Sequence, residues 1–324
     1  MTFLGLGDIG FTKQASSGTV PGTAFFWMPL SADASKLKAT QKTIHDGLSR
    51  SARYNLLTGL QSAGDATFLP TLPGIAKLLA LWAGGTDTTT GTVDPVTHTL
   101  ALASGDVPWL TVQRNFDSYG YCYNDLSCKL ESIEFSGKAN SEITAKVAWA
   151  GFYPHTVTKA TQAFDTETPL LSAKAAVTIK QGSTTINGYC VSWDLAFKQT
   201  LSVVMASGSL TPVAITPQVR SITGKATVTA ENTDVLLTNI YGLSAAAAPT
   251  GTQQTGSVDI LITSSTATHS LELKLAQATF TVAEPVIQPD GKTLEIPIQF
   301  VGLLGSGNDE ATLIAITGDT AAYN

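Results

Sequence analysis

Charge is the first thing this sequence is short of. Asp, Glu, Lys and Arg make up 14% of its 324 residues, against about 25% in an ordinary soluble domain. The formal net charge is −6, and the basic residues are scattered without a run. That argues against a high-affinity DNA or RNA binder, which needs a basic patch to displace counterions from phosphate. A surface poor in charge is easy to desolvate, which suits a protein that buries much of it against copies of itself. Cysteine is scarce as well. Cys122, Cys128 and Cys190 are an odd number with no C-x-x-C pair, which supports neither a disulfide framework nor a thiolate metal site. Long apolar runs are missing too. The most apolar window, Leu72 to Gly85, contains Lys77 and is shorter than the about 20 residues that span a bilayer. The N-terminus has neither the basic region nor the apolar run of a secretory signal. The expectation is a soluble protein made in the cytoplasm, with no membrane contact.

Chemistry-bearing motifs are the next absence. His45, His98, His155 and His269 lie far apart, none at metal-ligand spacing from another His or a Cys. No G-x-S-x-G elbow, phosphate-binding P-loop, H-E-x-x-H or calcium loop occurs. Glu131, Glu134 and Glu142 sit in or beside alternating segments, as a solvated strand face requires, and nothing near them would raise a carboxyl pKa. Gly5, Gly7 and Gly10 match the dinucleotide fingerprint G-x-G-x-x-G. That fingerprint has force only between a strand and a helix; here four residues precede it and a Thr/Ser/Gly stretch follows. The reading is a protein that is not an enzyme, with no catalytic, cofactor or metal residues.

What is present is alternation. In the stretch from Tyr121 to Gly151, Leu126, Cys128 and Leu130 share one face, and Ile143, Ala145, Val147 and Trp149 share another. This is the period of a hairpin buried on one side. The parity slips between Leu130 and Ile133, so one extra residue near Glu131 or Ser132 is expected, the mark of a β-bulge. Further strands are expected at Ala24–Leu30, from Val96 onward, at Val177–Ile179, Val191–Phe197, Ala226–Ala230, Val258–Ile262, Leu271–Leu275, Phe280–Val282, Leu294–Phe300 and Leu313–Ile316. One clear helix is expected at about residues 73–83. Pro73 stands near its first turn, Ile75, Leu78, Leu79 and Trp82 recur at helical spacing, and Gly84-Gly85 stop it. Its stripe predicts packing on the outside of a sheet. A second, short helix is expected over 233–241, residues 31–60 read as a long polar and partly extended loop, and 86–94 as a Thr/Gly linker.

The fold class is therefore mainly β. Length favours two units: an N-terminal arm at 1–22, a first β domain at 23–165 with the long loop and the helix, and a second at 166–324 ending in a tail. The restarts Tyr121-Cys122 and Tyr189-Cys190 hint at a duplication.

Taken in order, several segments resemble one family. They are P-x-L-P-G-I-A-K-L-L before the Gly pair, V-P-W-L-T-V-Q-R at 107–114, L-S-C-K-L-E-S-I-E-F-S-G at 126–137, E-I-T-A-K-V-A-W-A-G at 142–151, the run from Thr211 to Ala230, and the late strand Leu294–Phe300. From about Gly22 onward this order is similar to the major tail tube proteins of long-tailed, siphovirus-type bacteriophages. The resemblance implies β-sandwich or barrel-like tube domains with a flanking helix. Subunits of that kind form stacked rings, hexameric with one tube domain per chain or trimeric and pseudo-hexameric with two. It also implies a tape measure protein, tail terminator and distal tail proteins as partners, with DNA passing through unbound on ejection and a virion tail assembled in the host cytoplasm. An acidic or neutral lumen suits that role, because basic side chains summed over many rings would hold the DNA. Lys129, Glu131, Thr144 and Lys146 are polar outward positions of the hairpin and the candidates for lining the channel. The stretch 31–60, the arm and the tail are candidates for ring-to-ring contacts. The alternative function is a carbohydrate- or receptor-binding β-sandwich of the tail, with Tyr119, Tyr121 and Tyr123 as an aromatic platform.

Overall fold

Strands account for most of the chain because Val, Ile, Thr and aromatic residues alternate along it, and such side chains pack well on a pleated surface. The computed structural model describes residues 7–19, 25–33, 36–45, 52–116, 121–162, 164, 167–181, 184–185, 188–229, 255–264, 269–282, 286–287, 294–303, 312–318 and 323. The first half holds β1 (Asp8–Lys13), β2 (Phe26–Asp33), β3 (Lys36–His45), β4 (Ala52–Phe68), α1 (Leu72–Ala83), β5 (Gly84–Thr90), β6 (Val96–Leu102), β7 (Leu110–Phe116), β8 (Tyr121–Lys138), β9 (Thr144–Gly151) and β10 (Tyr153–Thr156). The second holds β11 (Ala175–Gln181), β12 (Thr184–Thr185), β13 (Cys190–Met205), β14 (Pro212–Thr229), β15 (Thr255–Thr263), β16 (Ser270–Val282), β17 (Val286–Ile287), β18 (Leu294–Gly302) and β19 (Thr312–Gly318). The expected short helix at 233–241 lies outside the described residues.

Six strands close on themselves. β1 pairs with β2, β2 with β4, β4 with β9, β9 with β8, β8 with β7 and β7 again with β1, all antiparallel. Closure leaves this barrel no free edge. Phe11, Leu110, Val112, Cys128, Val147 and Trp149 are buried in it, and Phe11 meets Trp149 edge to face at 6.3 Å between ring centroids. Asp8–Lys13 belongs to this barrel, so that part of the expected arm is a structural strand. Gly5 lies outside the described residues, while Gly7 and Gly10 lead into and lie on β1, a strand, with no helix after it. The dinucleotide reading lacks its structural context.

β8 leaves the barrel through its second half. Along one side it pairs first with β7, over Tyr121–Cys128, and then with β13, over Ser132–Lys138. Two bulges mark the transfer. Leu126 and Ser127 stand against the single residue Thr111, with Ser127 at φ +52°. Glu131 is the extra residue between the pairs Leu130–Trp149 and Ser132–Ala148, where the broken parity placed it. From β8 a second sheet runs through β13, β14, β18 and β16. β16 then carries β15 and β11 on its far side. On its near side, below β18, it carries β19, β6 and β5.

α1 lies in the hollow of this second sheet. Pro73 opens it and Gly84, at φ +68°, closes it with its N–H on the Ala80 carbonyl. Ten of its twelve residues are buried, against β8, β6, β5, β19, β16 and β2. The helix is thus inside the fold and not on the outside of a sheet, because it is apolar nearly all round. Trp82 packs edge-on to Phe197 at 5.3 Å and carries the Arg220 guanidinium over its face at 4.9 Å. Two other expectations are corrected. The polar stretch 31–60 contains most of the β3–β4 hairpin, and the Thr/Gly linker is mostly β5. Two ladders, β8–β13 and β6–β19, cross the expected boundary at residue 165, and one apolar core draws on both sides of it.

Candidate functional site

A broad solvent-facing surface is formed by the outer face of the sheet β4–β9–β8–β13–β14–β18. Trp193, Leu195 and Phe197 of β13 and Phe135 of β8 point into the core. Period-2 geometry therefore turns Asp194, Ala196, Lys198, Glu134 and Ser136 outward. Register aligns these positions into rows. One row reads Thr67, Lys146, Glu134, Ala196, Thr223 and Val301 across six strands. The next reads Thr144, Ser136, Asp194, Lys225 and Gln299. They bound a shallow depression of about 670 Å³.

Three lysines of this face, Lys146, Lys198 and Lys225, are held by carboxylates on neighbouring strands. Lys146 Nζ lies 3.3 Å from Asp65, Lys198 Nζ 2.8 Å from Glu134, and Lys225 Nζ 3.2 Å from Asp194. Each pair is solvent-exposed and adds little to stability, but each fixes where a positive charge sits. With Glu131, which lines the adjoining hollow beside Lys146, the linings of the depression and that hollow together carry four carboxylates to three ammonium groups. Glu131, Thr144 and Lys146 thus share one surface. Lys129 does not join them. It is 1% exposed, bonded to Asp106 and stacked on Trp109 at 4.1 Å. It points away from the core side of its strand as expected, but the loop from Ala103 to Trp109 covers it. Asp65, Asp194, Lys198 and Lys225 were missed. The alternation of β13 carries the signal for two of them, since they stand opposite Trp193, Leu195 and Phe197.

Of the candidate tyrosine platform, only the Tyr123 side chain is among the described residues. Tyr123 is half-buried with Arg114 at 6.0 Å from its ring, Tyr119 lies outside the described residues, and nothing is described of the Tyr121 side chain. Three further ionisable groups, Asp125, His98 and His269, have structural partners. Asp125, fully buried, accepts from Arg114 at 3.1 Å and from the Trp149 indole at 3.0 Å. His98, also buried, bonds Asp87 at 3.0 Å and lies against Tyr323 at 4.5 Å. His269 bridges Glu167 at 2.7 Å and Asp94 at 3.3 Å through its two ring nitrogens. Burial lowers its pKa, but the two carboxylates outweigh that and hold it above the ordinary value. The three cysteines are free thiols. Burial pushes Cys128 well up and Cys190 to about 11, so neither is poised as a thiolate. Among the described residues no group of three or more His, Cys, Asp or Glu could hold a metal ion, and no helix is long and apolar enough to cross a membrane.

A barrel sharing a strand with a second sheet, and a helix filling the hollow, define a mainly-β protein. A family model for phage tail tube proteins matches residues 6–302, nearly the whole chain, and the chain belongs to that family. It is a structural subunit of a phage tail tube, a virion component that assembles into a multimer. No curated protein matches the chain.

Proposed function

We propose that copies of this chain close into sixfold or pseudo-sixfold rings, that the rings stack into a hollow tube, and that viral DNA passes through it on ejection. The open sheet face of β4, β9, β8, β13, β14 and β18 is turned to the lumen, with Glu131, Thr144 and Lys146 among its lining residues. The observation that carries this reading is the pairing of Lys146, Lys198 and Lys225 with Asp65, Glu134 and Asp194. Phosphates bind where lysines release counterions to them. A lysine already neutralised by a carboxylate on the next strand has little to offer, so a lumen so lined lets DNA slide. A tape measure protein sets tube length during assembly in the host cytoplasm, and terminator and distal tail proteins close the two ends.

The test is direct. Purified protein examined by negative-stain electron microscopy should form rings or tubes, and ring mass should correspond to six or three chains. A strictly monomeric protein at all concentrations and salt conditions would overturn the proposal. The triple variant Asp65→Asn, Glu134→Gln, Asp194→Asn releases three lysines per chain. Tubes carrying it should assemble normally and retain DNA at low salt; tubes that release DNA like the parent would sink the lumen assignment.

A further inference from the structure

The segment that leaves β10 crosses the outer wall of the barrel one strand at a time. The Val157 N–H donates to the Cys122 carbonyl on β8 at 3.2 Å, and the Ala160 N–H to Gln113 Oε1 on β7 at 3.1 Å. Gln162 bonds Asp8 on β1, and Phe164 forms an isolated bridge with Trp27 on β2. Both ends of this strap are fixed. Before it, β10 is paired with β8. After it, the buried Leu170 donates its N–H to the Pro70 carbonyl and accepts from the Ile143 N–H.

What lies beneath the strap is polar. Leu110 and Val112 of β7 face the barrel interior, so alternation turns Thr111, Gln113 and Asn115 outward, and all three are buried. Gln113 Nε2 donates to Asn124 of β8 at 2.7 Å. Asn115 Oδ1 accepts from the Cys122 thiol, while its Nδ2 has no hydrogen-bond partner among the described residues. Trp27, also buried, lies against Gly10 of β1, and its indole N–H is likewise without a partner. The strap covers this wall but buries little of itself. Thr158, Lys159, Thr161 and Phe164 are exposed, and Val157, Ala160 and Gln162 are half-buried. A segment held by a few hydrogen bonds, with little apolar surface buried, opens at low cost. A polar wall loses little on being wetted, and here two stranded donors gain water.

We infer that residues 157–162 are a displaceable strap. It swings away from the barrel while its two anchors hold, and turns a covered wall into a further polar surface of the subunit. The movement belongs to a single chain and needs no ring.

Native-state hydrogen exchange on the full chain tests this. The Val157 and Ala160 amides should exchange about a hundredfold faster than the β7–β8 ladder amides, at rates that low denaturant leaves unchanged, because local opening exposes little surface. Gln162→Ala removes the bond to Asp8 and should speed those two amides by about threefold to tenfold, with the midpoint of global unfolding unmoved. Iodoacetamide reads the underside. Cys122, half-buried beside Asn115, should be alkylated faster in that variant, while Cys128, on the interior face of the same strand, stays unmodified. Strap amides that exchange as slowly as the ladder, and that quicken with denaturant as it does, would overturn the assignment. So would a Gln162→Ala chain whose midpoint falls while strap exchange and Cys122 alkylation stay at the parent rates.

Discussion

The barrel and the forked sheet solve the same problem in opposite ways. In the barrel, six strands pair in a closed circuit, so every ladder is satisfied within the chain. The second sheet wraps a helix and remains open, with branches from β16 ending at β5 and near β11. Closure makes the barrel self-sufficient. Openness leaves the other half with strand edges and a broad polar face. Both parts hang on β8.

That contrast predicts a ranking of effects. Trp82→Ala removes the side chain between α1, Phe197 and Arg220 and should cost about 3–5 kcal/mol, seen as a lower midpoint in denaturant unfolding; a loss under 1 kcal/mol would mean the open half does not depend on its helix. Asp125→Ala withdraws the acceptor shared by Arg114 and the Trp149 indole in the barrel and should cost about 3 kcal/mol, measured the same way. A smaller effect tests the open half alone. Protonated His269 donates to both Glu167 and Asp94, and its folded pKa is raised. Its contribution is therefore fully present below the unfolded value of about 6.5 and is lost as pH rises through the raised folded value. His269→Gln should flatten that part of the melting-temperature profile. An unchanged profile would break the assignment. Smallest of all, Lys146→Ala should change stability by no more than about 0.5 kcal/mol, because its pair with Asp65 is exposed; a large loss would show that the face has a folding role.

Legibility in the sequence followed how local each feature is. The helix expected at 73–83 is Leu72–Ala83, because its stop at Gly84 and its start at Pro73 are written within one turn of its ends. The bulge at Glu131 was legible because a single added residue shifts every later side chain of β8 to the other face. Barrel closure was not. It depends on β1, a six-residue strand inside a Gly/Ser/Thr stretch, and on β4, whose barrel partner β9 lies far along the chain. The same reason hid the burial of Lys129. Alternation gives the face of a strand but not the loop that returns to cover it, and Asp106 and Trp109 approach from another part of the chain. Leu271–Leu275 and Phe280–Val282 read as two strands because a parity break at Ala276-Gln277 divides them, yet the backbone runs through as β16.

β8 also sets how the subunit can deform. A strand held by ladders on both sides is stiff along most of its length, because bending it strains bonds to two neighbours at once. Ser127 and Glu131 are where those ladders are locally interrupted, and a bulged strand bends there most readily. They lie at the change from barrel to sheet. β8 itself therefore bends most readily at these few residues, where its pairing passes from the barrel to the second sheet.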